Sequence, residues 1–229
     1  MSGGATLVER ERAAAARGGG GGGGSEGGGD AARRVPGDGE RPGDPASPRL
    51  RARNARLTMY LLLSASTMLF IGLLGAFMVL KQAVPEWPPP GSPPLPAWLA
   101  WNSALIVLSS VTLALAHLAL RRGAMGTVRA GLAATLLLAL AFLLVQWFGW
   151  SDLRAAGFLP STNNFGGNFW LLTTLHFAHA VGGFVLLLRA SVLAFRGYLP
   201  ARLALPVEVA ALFWHFVDAA WLVIWLSLL

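Results

Sequence analysis

The chain has 229 residues, of which 55% are hydrophobic and only 13% are charged, and its mean hydropathy is +0.56. A soluble domain of this length has too little interior to hide so many apolar side chains, so the composition excludes a soluble globular protein. The formal net charge of +7 comes from 18 basic against 11 acidic residues. Because the arginines cluster beside long apolar runs, they indicate membrane topology rather than nucleic-acid binding.

The sequence contains no cysteine. Disulfides, iron–sulfur clusters and thiolate zinc or copper sites are therefore not available to this chain. It also contains no motif for ATP, dinucleotides or nucleophilic catalysis. We expect no catalytic residue and no metal ligand in this chain.

Residues 1–48 form a segment of Gly, Ala, Arg, Pro and Ser that includes seven consecutive glycines, Gly18 to Gly24. Such a segment cannot bury enough apolar surface to offset the entropy of ordering it, so we expect a disordered tail. It holds no apolar stretch typical of a signal peptide, and we expect none.

Five apolar stretches follow, each near the roughly 20 residues that cross the hydrocarbon core of a bilayer. Each must be a helix, because an isolated strand would leave backbone groups unpaired in lipid. We predict an all-α membrane protein with five transmembrane helices at residues 57–80, 98–120, 128–150, 169–194 and 205–228.

Basic residues predict the orientation. Ten lie before the first stretch, between the second and third, or near the connection of the fourth and fifth, whereas the opposite loops carry only Lys81 and Arg154. This places the N-terminus in the cytoplasm and the C-terminus outside. The loop from Pro85 to Pro96 is too rich in proline for a helix, and is either a spacer or a rigid external contact surface.

Polar residues within the stretches need partners, because an unpaired polar group in hydrocarbon is costly. His176 and His179 are three residues apart and share a helical face. Two imidazoles could ligate a metal or haem, but no third ligand is near in sequence. We therefore favour interhelical hydrogen bonding.

Glu208, His215 and Asp218 project within roughly 80° of one another on the last helix. They could relay protons, but we favour a structural hydrogen-bonded network. The hydroxyl residues of the second helix, such as Ser109 and Ser110, are expected to mark close helix packing. The predicted polar network consists of His176, His179, Glu208, His215, Asp218, Asn102 and Gln146, and the predicted lipid or interface aromatics are Trp87, Trp98, Trp214 and Trp221.

From about Arg56 to Leu229 the sequence resembles subunit III of haem-copper oxidases, in the divergent bacterial type with five helices. Three segments carry the resemblance. The first is Trp87-Pro-Pro-Pro-Gly91 with Leu95-Pro96, Asn102 and Ser109-Ser110-Val111-Thr112. The second is His176-Phe-Ala-His179 with Gly182-Gly183. The third is Trp214-His215-Phe216-Val217-Asp218 with Trp221, and Glu208 also stands where the family has a glutamate.

The resemblance implies a subunit without a redox centre in the bacterial plasma membrane. It implies packing beside oxidase subunits I and II, with haem and copper in subunit I. It further implies two groups of helices separated by a cleft that binds phospholipid, and a role in maintaining proton uptake. We weigh two alternatives: an accessory protein of nitric oxide reductase similar to subunit III, and an independent proton channel or transporter.

Three positions depart from the family pattern. Ser66 stands where many relatives have an intramembrane acid, and Gly149 replaces a glutamate in a pattern that begins at Gln146. Phe177 stands where a glycine is usual. The two missing acids weaken a role in proton supply and leave a role in scaffolding and lipid binding intact.

Overall fold

The computed structural model describes residues 47–87, 89–90, 92–94 and 96–229. All regular secondary structure within these residues is α-helical. The five helices are α1 (Pro48–Gln82), α2 (Trp98–Arg121), α3 (Met125–Ala155), α4 (Asn164–Phe195) and α5 (Pro200–Leu228). Each is long and apolar enough to cross a membrane, so the predicted five-helix membrane fold is confirmed. The predicted disordered tail, residues 1–48, lies outside the described residues except for Ser47 and Pro48.

Four of the five helices extend clearly beyond the predicted apolar stretches. α1 begins at Pro48, nine residues before the predicted start at Leu57. The helix is capped there by Ser47, whose Oγ accepts a hydrogen bond from the backbone N–H of Leu50 at 3.3 Å. With 35 residues, α1 is about 50 Å long, whereas the hydrocarbon core measures about 30 Å. Hydropathy marks only the part of a helix that crosses lipid, and local caps decide where the helix itself begins.

Four helices form a ring in which α2 packs on α3, α3 on α4, α4 on α5, and α5 on α2. α1 lies outside this ring and packs against α4 and α5. An apolar cavity of about 190 Å³ lies between α1 and α5, lined by Thr67, Phe70, Ile71, Leu74, Phe216, Ala219, Ala220 and Val223. The predicted division of the helices by a lipid-binding cleft stays a prediction, and this cavity is a place where such a cleft fits.

Small residues let the helices approach closely. A Cβ added to Gly183 of α4 would lie 2.8 Å from Cε3 of Trp214 on α5, and one added to Gly131 of α3 would lie 2.8 Å from the Cβ of Ala116 on α2. These close approaches leave the ring with large side chains buried at its centre. Among them, Trp214 and Trp221 of α5 are fully buried.

Candidate functional site: polar side chains inside the bundle

The main polar cluster links α5 to α2 through one serine. Ser110 Oγ lies 2.8 Å from Nδ1 of His215 and donates a hydrogen bond to Oδ2 of Asp218. The three-residue spacing of His215 and Asp218 places both on one face of α5, as predicted. Ser110 was predicted only as a packing residue, since nothing in the sequence shows which face of α2 meets α5.

Glu208 does not join this cluster. Its carboxylate accepts two hydrogen bonds from Arg56 of α1, at 2.9 Å from Nε to Oε1 and 2.7 Å from Nη2 to Oε2. Glu208 lies about two turns before His215 on α5, which brings it beside the first polar turns of α1. This bidentate geometry is the most favourable one for an arginine and a carboxylate.

Two buried indoles of α5 bind serines of α2. Trp214 Nε1 donates to Ser109 Oγ at 2.9 Å, and Trp221 Nε1 donates to Ser103 Oγ at 3.0 Å. Both tryptophans were predicted at lipid or interface positions, and both lie in the core instead. The serine hydroxyls explain this difference, because they satisfy the indole N–H groups that would otherwise favour the interface.

Asn102 of α2 and Gln146 of α3 meet inside the bundle. Asn102 Nδ2 donates to Gln146 Oε1 at 2.9 Å, and both residues are fully buried. The remaining amide atoms, Asn102 Oδ1 and Gln146 Nε2, have no partner within the described residues. This pair joins the polar side chains of α2 to α3.

The two histidines of α4 have different surroundings. His179 Nδ1 lies 2.8 Å from the carbonyl oxygen of Leu175, and its Nε2 lies 3.3 Å from Ser66 Oγ on α1. A carbonyl only accepts, so Nδ1 carries the proton and Nε2 accepts from the serine. Both nitrogens of His179 are thus engaged, which favours the interhelical hydrogen bonding that we predicted over a metal.

His176 is fully buried, and neither of its ring nitrogens has a hydrogen-bond partner in the described part of the chain. Its ring centroid lies 4.9 Å from that of Trp221 and 5.9 Å from that of Phe142. Among the residues that the structure describes, no three His, Asp or Glu side chains lie close enough to hold a metal ion. The environment of His176 is aromatic.

The three residues that we predicted to depart from the family pattern each have a neighbour on another helix that suits them. Ser66 binds His179. Gly149 leaves room for the ring of Trp98, whose Cε2 would lie 2.4 Å from a Cβ at residue 149. Phe177 packs against Trp150 with ring centroids 5.0 Å apart. At Gly149, the ring of Trp98 occupies the space that a side chain would take.

Trp87 anchors the proline-rich loop. Its ring packs edge-on against Phe77 of α1 and Phe165 of α4, with centroids 5.4 Å and 4.9 Å away, and Nζ of Lys81 lies 5.1 Å from its centroid. The loop is also held by Asn163, whose Nδ2 donates to Ser92 Oγ at 3.0 Å. These contacts fix the position of the loop against α1 and α4. Its predicted role as an external contact surface stays a prediction.

The fold and the interior together define an integral membrane protein whose helices are joined by buried hydrogen bonds. Residues 49–229 match the family Cytochrome c oxidase subunit III. Relatives named cytochrome c oxidase subunit 3 include one from Synechocystis, 31% identical over 82% of this chain and 78% of the relative, and one from Loxodonta africana, 31% identical over 76% and 68%. Another, from Arabidopsis thaliana, is 33% identical over 62% of this chain and 53% of the relative. The chain belongs to the cytochrome c oxidase subunit III family.

Proposed function

We propose that this chain is the non-catalytic subunit III of a respiratory haem-copper terminal oxidase of the cytochrome c oxidase type. The observation that carries the proposal is the family match, which runs through all five helices. Haem and copper belong to subunit I in this proposal. This chain contributes a stable surface against which subunits I and II assemble.

The polar contacts support a role in assembly. They join α2 to α5 through Ser110, α2 to α3 through Asn102, and α4 to α1 through Ser66. Hydrogen bonds between transmembrane helices fix their relative rotation and depth. Most of the predicted network residues serve such contacts.

The second part of the proposal is phospholipid binding. The cavity between α1 and α5 is lined almost entirely by apolar side chains. An acyl chain matches that chemistry, whereas a polar ligand would lose its hydration there. We place the complex in the bacterial plasma membrane, with the N-terminus of this chain in the cytoplasm on the basis of its basic flanks.

Purification of the chain from native membranes through an affinity tag tests the main proposal. We expect it to bring down haem-containing subunits that consume oxygen. An accessory protein of nitric oxide reductase would instead bring down a complex that reduces nitric oxide. Recovery of a stable haem-free complex with unrelated proteins would refute the proposal.

Variants of the α5 cluster test the role in assembly. Asp218→Ala or His215→Ala removes a contact to Ser110 and should lower the yield of the complex, since an interhelical hydrogen bond contributes about 0.6–2 kcal/mol. The measured quantity is the ratio of complex to free chain on a sizing column. Normal yield combined with lost oxygen turnover would contradict a structural role.

A further inference from the structure

An open cavity of about 220 Å³ lies between α2 and α5, near the end where α2 finishes and α5 begins. His117 and Arg121 of α2 line it, together with His215 of α5. This is the side of the membrane that carries most of the basic residues. Ala114 and Leu118 complete the lining. The two imidazoles and the guanidinium give the cavity polar groups that can hydrogen-bond water.

A continuous hydrogen-bonded path leads from this cavity to a buried carboxyl group. His215 lines the cavity and its Nδ1 contacts Ser110 Oγ. Ser110 in turn contacts Oδ2 of Asp218, which is 4% exposed. The path therefore has three members and two hydrogen bonds, and it joins α2 and α5 at each step.

The chemistry of a serine hydroxyl allows this path to carry a proton. A hydroxyl both donates and accepts, so it can be bonded in two directions. In the first, the protonated carboxyl of Asp218 donates to Ser110, and Ser110 donates to Nδ1 of His215. In the second, Nδ1 of a protonated His215 donates to Ser110, and Ser110 donates to the carboxylate.

Conversion of the first arrangement into the second transfers one net proton from Asp218 to His215, and the total number of protons stays the same. The O–H bond of Asp218 breaks while an O–H bond of Ser110 forms, and the original O–H bond of Ser110 breaks while an N–H bond of His215 forms. The imidazolium then exchanges its proton with water in the cavity through Nε2. No electron is transferred and no co-reactant is required.

We propose that Asp218 is a proton-exchanging group that communicates through Ser110 and His215 with the cavity between α2 and α5, and with that side of the membrane only. Asp218 Oδ1 has no partner within the described residues, so Oδ2 is the oxygen through which a proton leaves. Beyond Asp218, the next ring on this face of α5 belongs to Trp221, which is fully buried and bonded to Ser103. The path is therefore a one-sided proton site and not a channel.

The charged and titratable groups on the neighbouring helices do not pair with Asp218 and so do not prevent proton exchange at its carboxyl group. α2 provides His117 and Arg121 at the cavity, and the carboxylate of Glu208 on α5 is held by Arg56 of α1. The imidazole of His179 on α4 is engaged with Ser66, and His176 lies in its aromatic surroundings. No cationic side chain lies within salt-bridge distance of Asp218 in the described part of the chain. A carboxyl group inside a membrane is costly to keep, and here it has a hydrogen-bonded path to a cavity and no fixed counter-ion. Such a group marks a functional site.

Infrared spectroscopy of the purified complex tests this proposal. The carbonyl-stretch band of a protonated Asp218 is identified as the band that is present in the wild type and absent in the nearly isosteric Asp218→Asn variant. Its shift on transfer to D2O reports how fast the carboxyl proton exchanges. We expect exchange in Ser110→Ala and His215→Phe to be slower by on the order of a hundredfold, the typical contribution of a positioned proton-transfer group.

Two control variants separate a lost path from a disturbed fold. Ser109→Ala makes the same chemical change one residue away and should leave the exchange rate unchanged, whereas Ser110→Thr keeps the hydroxyl and should restore it. Absence of an Asp218 band at every pH would overturn the proposal. Equal exchange in Ser110→Ala and the wild type, or equal slowing in Ser109→Ala, would overturn it too. The measurement needs no haem, so its outcome is independent of whether the partner is an oxidase.

Discussion

The indole ring of Trp98 lies directly against the backbone of Gly149. A Cβ at residue 149 would be 2.4 Å from Cε2 and 2.6 Å from Cδ2 and Cζ2 of that ring. Trp98 is the first residue of α2, and Gly149 lies in the last turns of α3. Gly149 therefore sets how closely these two helices approach at one end of the bundle.

Gly149→Ala should destabilise the protein, because the added methyl group overlaps a large ring that is itself packed against the core. Overpacking of this kind costs about 1–3 kcal/mol. The midpoint of thermal unfolding in detergent measures the effect. Gly126→Ala on the same helix is the control, since nothing lies within 4 Å of a Cβ there. Equal stability of the two variants would show that Trp98 moves aside freely.

The adjacent glycines Gly182 and Gly183 of α4 provide a second pair of matched variants. A Cβ on Gly183 would lie 2.8 Å from Cε3 of Trp214, whereas one on Gly182 would have its nearest neighbour, Cε1 of Phe213, at 3.8 Å. Trp214 cannot move easily because its Nε1 is bonded to Ser109. Gly183→Ala should therefore cost about 1–3 kcal/mol by overpacking.

Gly182→Ala should be neutral, or more stable by up to about 1 kcal/mol, because alanine favours the helix more than glycine does. The comparison uses the urea midpoint of unfolding in the same detergent. If Gly182→Ala were the more damaging variant, the packing of α4 on α5 would differ from the one described.

The two histidines of α4 should respond differently to replacement. His179→Phe removes the hydrogen bond to Ser66 and should cost about 1 kcal/mol. His176→Phe removes no hydrogen bond and retains an aromatic ring beside Trp221, so stability should stay the same or rise. Thermal unfolding of the two variants side by side checks this order. A larger loss in His176→Phe would reveal a buried partner, such as a water molecule, at that ring.

The ion pair between Arg56 and Glu208 should contribute little by itself and depend on salt. The side chains are 47% and 28% exposed, and exposed ion pairs are weakened by hydration and screening. Either Arg56→Glu or Glu208→Arg should lower the melting temperature slightly, and the double reversal should restore it. The difference should shrink as ionic strength rises. A double variant as unstable as the sum of the single ones would show that the pair has no coupling.

The number and position of the helices could be predicted because each depends on a local stretch of apolar residues. The relation of His215 to Asp218 was also predictable, since three residues along a helix lead back to the same face. The first residues of α1, α4 and α5 were predicted five or more residues too late. Polar residues continue a helix outside lipid, and hydropathy does not register them.

The side-chain contacts between different helices could not be predicted from the sequence. Most errors in the predicted polar site concern such contacts. Trp214 and Trp221 were predicted at lipid or interface positions, yet both are buried against serines of α2. Glu208 was grouped with Asp218 by its helical face, and the structure pairs it with Arg56 of α1 instead. In both cases the helix face was visible in the sequence, but the neighbour on that face was not.

The sequence by itself determined that the chain enters a membrane, that it crosses as helices, and which family it resembles. These properties follow from composition, from the need to satisfy every backbone group in lipid, and from motifs at fixed spacing. The tertiary structure decided that Ser110 joins His215 to Asp218, that Trp98 lies on Gly149, and that α1 stands outside the ring. Those relationships depend on the rotation and depth of each helix against its neighbours, and no local pattern along the chain records them.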